Sequence, residues 1–127
     1  MKKEVITIPD APALPFSPAI KAGDYLFVSG QVGTRDEGGN EINDIEGQTR
    51  QCLHNIKHIL ETAGLALDDV VKVTVFLRNE GDFARMNEVF KAYFPQEPPA
   101  RSTAITGLVN PKMLMEMECI AYHPSGE

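Results

Sequence analysis

Positive charge is scarce in this 127-residue sequence: 12 Lys and Arg stand against 18 Asp and Glu, a formal net charge of -6. Phosphate binding depends on concentrated cations, so this balance argues against a protein built for non-specific binding to nucleic acid or anionic membrane. Cysteine is nearly absent too. The two present, Cys52 and Cys119, fall in periodic apolar patterns and not in a C-x-x-C pair or a loop framework. Both are expected to be reduced core residues of an intracellular protein. No segment is apolar over a membrane-spanning length, and the start, MKKEVITIPDAPALP, holds no run resembling a signal peptide. A cytoplasmic location is expected. With 43% hydrophobic residues, the chain reads as one compact domain over 1–127 that buries roughly two-thirds of its unfolded surface.

What the sequence does have is most concentrated between Glu97 and Tyr122. Arg101 sits on a short alternating run behind Pro98-Pro99, and a second run from Met113 to Tyr122 puts Met113, Met115, Met117, Cys119 and Ala121 on one strand face. The other face carries Leu114, Glu116, Glu118, Ile120 and Tyr122. Two carboxylates among aliphatic and aromatic neighbours suit neither a dry core nor open water; such a face meets a ligand or another subunit.

Elsewhere the periods are plain. Val5 to Ile8 predicts a short edge strand, followed by prolines at 9, 12, 15 and 18 whose spacing of three matches a polyproline II turn, read here as an arm lying across its own domain. Tyr25 to Val32 alternates as a strand with Leu26, Val28, Gly30 and Val32 on one side, and Gly30 within it predicts a bulge or a close backbone approach. Arg35 to Asn40 reads as a hairpin turn. Asp44 to Ala63 has helical period, with Gly64 at C′. His54 and His58 lie one turn apart on its outer side with no third ligand beside them, so a solvated face is expected and no metal site. Val70 to Leu77 is a strand, with Val71, Val73, Val75 and Leu77 on the apolar side; a second helix runs from an Asp82 N-cap to Pro95 and carries Asn87 near its stripe. Strands, helix, strand, helix, strands predict an α+β domain with two helices on one face of a sheet. Three strands share an open face too apolar for water, which predicts an oligomer with polar pockets at the seams.

In this order, AGDYLFVSGQVG, EGQTRQCLHNIKHIL, AGLALDDVVKVTVFL, DFARMNEVFKAYF, PPARST and MEMECIA resemble the RidA/YjgF family of reactive-intermediate deaminases, also catalogued as L-PSP endoribonucleases. The likeness implies a fold like the bacillus-type, trimeric chorismate mutases, a homotrimer with pockets at the subunit seams, and no metal or organic cofactor. It implies Arg101 as the active arginine, Glu116 as its acidic partner, and Ser29, Gly30 and Asn87 as pocket residues. Two positions depart: Ser17-Pro18-Ala19 where many members have G-P-Y, and Thr103 where many have cysteine.

The reaction implied is hydrolysis of an imine, formed from an enamine such as 2-aminoacrylate, to a 2-oxo acid and ammonia. A guanidinium fork matches the substrate carboxylate, so Arg101 would orient it. Glu116 would steer and deprotonate the water, while groups around Gly30 and the Thr103 hydroxyl bind the remaining atoms. Three alternatives stand beside this. Arg101 is tied to Glu116 or Glu118 across neighbouring strands and only holds the assembly; the protein binds or senses small carboxylates without catalysis; or it is a ribonuclease, which the acidic balance disfavours.

Overall fold

The computed structural model of the chain describes residues 2–9 and 11–124. Six strands form one mixed sheet: β1 (Glu4–Ile6), β2 (Ala19–Ala22), β3 (Tyr25–Gln31), β4 (Val70–Leu77), β5 (Ala100–Ile105) and β6 (Met115–Tyr122), in the spatial order β1-β2-β3-β6-β4-β5. Helices α1 (Ile45–Thr62) and α2 (Phe83–Tyr93) supply the crossovers. β4 and β5 pair in parallel, a geometry that needs a long connection, and α2 provides it. β3 and β4 both run antiparallel to β6, which slots between them. The expected α+β architecture, two helices against a sheet, is the one found.

The core lies between the sheet and the helices. Met115, Met117, Cys119 and Ala121 from β6 meet Leu53, Ile56 and Leu60 from α1 in one buried cluster. The 3.6-residue stripe of α1 turns these side chains inward. Asp44 caps the helix, accepting from the Gly47 N–H at 2.9 Å, and Gly64 ends it at a φ of +83°, where a side chain would be strained. Both cysteines are free and buried; burial pushes the Cys119 thiol up to about 12. Among the described residues no helix is long and apolar enough to cross a membrane.

Several strand expectations change. Ala19 to Ala22, to which the sequence pattern assigns no element, forms β2 and joins β1 to the sheet. The apolar face of β4 begins with Val70, not Val71: a bulge between Val70 and Lys72 leaves Val71 44% exposed. The last strand starts at Met115, and Leu114 packs against the core instead of joining the open face. Asp82 stands at the N-cap of α2 but makes no capping bond, pairing with Arg85 at 2.7 Å. The hairpin expected over 35–40 is present, closed by an Arg35–Glu41 bridge.

Gln48 was not singled out in the stripe of α1, yet it is 1% exposed and ties three segments together. Its amide donates to the carbonyls of Ile42 at 2.8 Å and Lys112 at 2.9 Å, and its oxygen accepts from the Leu114 N–H at 2.9 Å. This side chain sets the loop that launches β6. Gln48→Met keeps the volume and leaves those backbone groups unpaired, so a loss of about 3 kcal/mol in urea unfolding is expected; an unchanged midpoint would show that the bonds do not stabilise the loop.

Candidate active site

The six residues proposed from the sequence fall into two groups on opposite sides of the sheet. Arg101 lies opposite Val73 and Thr103 opposite Val75 across the β4–β5 ladder, and both valines are buried beneath the helices. Arg101 and Thr103 therefore face α2. Glu116 lies opposite Phe76, and Glu118 opposite Thr74, on the uncovered side. β4 also separates β5 from β6. Within one chain, then, Arg101 does not pair with Glu116 or Glu118.

On the helix side, the Arg101 guanidinium carbon sits over two rings of α2, 4.8 Å from the Phe90 centroid and 5.7 Å from that of Phe83. Such distances are within the range of a cation–π contact. No carboxylate among the described residues lies within ion-pair distance of it, and burial lowers its pKa from the ordinary value. Asn87 falls between Phe83 and Phe90 on the same helical stripe, at steps of four and three. Its Oδ1 is buried and has no hydrogen-bond partner among the described residues. The helical stripe that carries the rings under this half-buried cation thus also carries an unsatisfied acceptor. The aromatic platform was missed in the sequence, where Phe83 and Phe90 read simply as apolar stripe. Phe83, 40% exposed, carried no signal of its own.

On the uncovered side, the bulge expected at Gly30 is present: the β3–β6 register shifts between Val28 and Gln31. The reason is a close approach. A methyl group built on Gly30 would stand 2.0 Å from Glu116 Oε2, so the glycine lets this carboxylate rest against the strand, and a larger residue would push it aside. Glu116 is half-buried and Glu118 exposed. Burial first, then the charge of Glu118, raises the Glu116 pKa above its ordinary 4.5. Ser29 sits beside it with its hydroxyl donating to the Ser17 carbonyl at 2.6 Å and its N–H to the Pro18 carbonyl at 3.0 Å. These bonds pin the proline arm to the bulge. Ala19, which stands where many members of the resembling family have tyrosine, is 1% exposed and turned into the core. A cavity of about 240 Å³ under the arm, lined by Ile8, Phe16, Pro18, Asn55 and His58 among others, contains none of the six.

The family model described as Endoribonuclease L-PSP matches residues 7–123. The chain belongs to that family, the Rid/YjgF proteins. A RutC family protein of Pyrococcus horikoshii is 48% identical over 94% of this chain and 98% of its own length. The 3-aminoacrylate deaminase RutC of Acinetobacter baylyi is 40% identical over 96% of this chain and 99% of its own. Among solved structures, a Rid family protein of unknown function from Yersinia pestis superposes with a TM-score of 0.87 at 37% identity, covering 96% of this chain and all of that one. The mixed sheet with two helices is thus the fold of this family.

The raised Glu116 pKa has a consequence for stability. The folded chain keeps this proton to a higher pH than the unfolded chain does, so the group's contribution to stability declines as pH rises through and above 4.5. Glu116→Gln removes that decline. Urea midpoints followed from about pH 4 to about pH 8 are expected to fall less with pH in the variant than in wild type, and parallel curves would contradict the burial of this carboxylate.

Proposed function

We propose that the protein is an enamine/imine deaminase that hydrolyses small 2-imino acids, such as the imine of 2-aminoacrylate, to 2-oxo acids and ammonia. The observation that carries this reading is the Arg101 guanidinium, half-buried on two rings with no carboxylate in ion-pair distance among the described residues. A cation held in that way is ready for an anionic ligand. The deaminase name of the Acinetobacter baylyi relative supports the reaction class.

In this reading the site is completed by a second copy. Arg101, Thr103 and Asn87 of one chain face Ser29, Gly30 and Glu116 of its neighbour in a homotrimer. The uncovered sheet face supports assembly, since Tyr25 and Phe27 are each 46% exposed and Tyr122 is 39% exposed in one apolar patch. Two free, buried cysteines suit a reducing compartment, and a cytoplasmic location belongs to the same proposal.

Arg101 grips the substrate carboxylate through its donor fork, and the Asn87 carbonyl oxygen accepts an N–H from the substrate. Glu116, a stronger base because its pKa is raised, takes a proton from water as the water oxygen bonds to the imine carbon. The C=N π electrons move to nitrogen, which gains the proton. The carbinolamine then collapses: Glu116 relays the hydroxyl proton to nitrogen, the C–N bond breaks, ammonia leaves, and the C=O of the 2-oxo acid forms. No step requires a redox partner.

The family description names an endoribonuclease, but a net charge of -6 weighs against phosphate binding as the main task. The test supplies the protein with 2-aminoacrylate made in situ, and separately with 3-aminoacrylate, and follows ammonia release. Wild type is expected to accelerate release from the first at least, and Arg101→Ala to lose at least about a hundredfold of that rate while keeping the assembly of wild type, the scale of removing a charge-assisted positioning contact. Release no faster than without protein, together with retained carboxylate binding, would instead make it a binder or sensor.

A further inference from the structure

We propose that Phe83 and Phe90 are positioning residues of the anion site: their ring faces fix the Arg101 guanidinium in place for the substrate carboxylate without neutralising it. The inference rests on the deaminase reading above and adds to it the device that holds the arginine. Arginine side chains are long, and an unpaired one at a sheet edge loses rotamer freedom when it must meet a ligand. Here that ordering is already done in the free chain. Arg101 rests over Phe90, which is 6% exposed and itself stacked on Phe94 at a centroid distance of 4.8 Å, so the platform is part of the core. Phe83 closes the outer side.

The choice of rings over a carboxylate matters chemically. A carboxylate partner would occupy the guanidinium's N–H fork, and an incoming anion would have to displace it. A ring face attracts the positive charge but supplies no lone pair to those donors, so the fork stays open for a bidentate ligand. The rings also keep water from one side of the cation, which strengthens its bond to an anion. A second observation on the same helical stripe points to a ligand: Asn87, between the two phenylalanines in the sequence of the stripe, has a buried Oδ1 with no partner among the described residues.

The grip on the carboxylate is the same before and during reaction, so weakening it should raise KM and leave kcat nearly intact. Phe83 is the safer probe because it lies at the surface. For Phe83→Leu, KM for the imine and the inhibition constant of pyruvate are both expected to rise about threefold to tenfold, the scale of one cation–π contact. kcat should stay within about twofold. Phe83→Tyr should restore both constants. At Phe90, where truncation would open the core, incorporation of singly, doubly and triply fluorinated phenylalanine weakens the ring quadrupole at nearly constant volume, and pyruvate affinity should fall stepwise. A Phe83→Leu protein with wild-type KM and pyruvate affinity, whatever its melting temperature, would overturn the proposal, as would a flat fluorination series. Pyruvate binding is read without turnover, so a failure of the deaminase reading and a failure of this one are separately visible.

Discussion

A guanidinium seated on two aromatic rings, with no carboxylate in ion-pair reach among the described residues, is the contact around which this molecule makes functional sense. Burying a cation costs free energy unless something compensates, and here the compensation is polarisable carbon. The consequence is a charge kept for use. Every element near it serves that end: β4 fixes the register of β5, α2 brings the rings down onto the sheet edge, and Pro95 follows the helix so that the chain can return through Pro98-Pro99 to the strand.

The sheet then imposes a second constraint. Because strand side chains alternate, Arg101 and Glu116 are committed to opposite faces, and no side-chain rotation within one chain joins them. Glu116 has its own preparation on the uncovered side. Gly30 yields space for it, the β3 bulge opens the ladder, and Ser29 ties down the proline arm beside it. On the proposed function, the two half-sites on opposite faces become one site where identical chains meet in a ring. The exposed Tyr25, Phe27 and Tyr122 supply the apolar area such a contact needs.

Much of this was legible from local pattern. Helix period and the Asp44 and Gly64 ends give α1 almost to the residue, and the odd-position apolar face of β6 packs as written. The bulge at Gly30 could be read because a glycine inside a strand pattern has few other purposes. What failed was non-local. β2 is four residues directly after Pro18, too short for its period to be seen, and its existence depends on pairing with β3. A single inserted residue at Val71 puts Val70 in its place on the buried face while Val73, Val75 and Leu77 stay there as expected, and period alone does not reveal where such an insertion falls. The placement of Arg101 and Glu116 on opposite faces follows from sheet order, which alternation within each strand does not specify. Phe83 and Phe90 look like any helical stripe until β5 is laid beside them.

Mixing two inactive chains tests the shared site most directly. Arg101→Ala supplies only the glutamate half, and Glu116→Gln only the arginine half. If each site takes one half from each of two neighbours, every mixed trimer contains one intact pair, and random equimolar mixing should recover about a quarter of wild-type deaminase activity. Activity that never rises above that of the two separate parents, in particles shown by differential tagging to be mixed, would contradict a site built between copies.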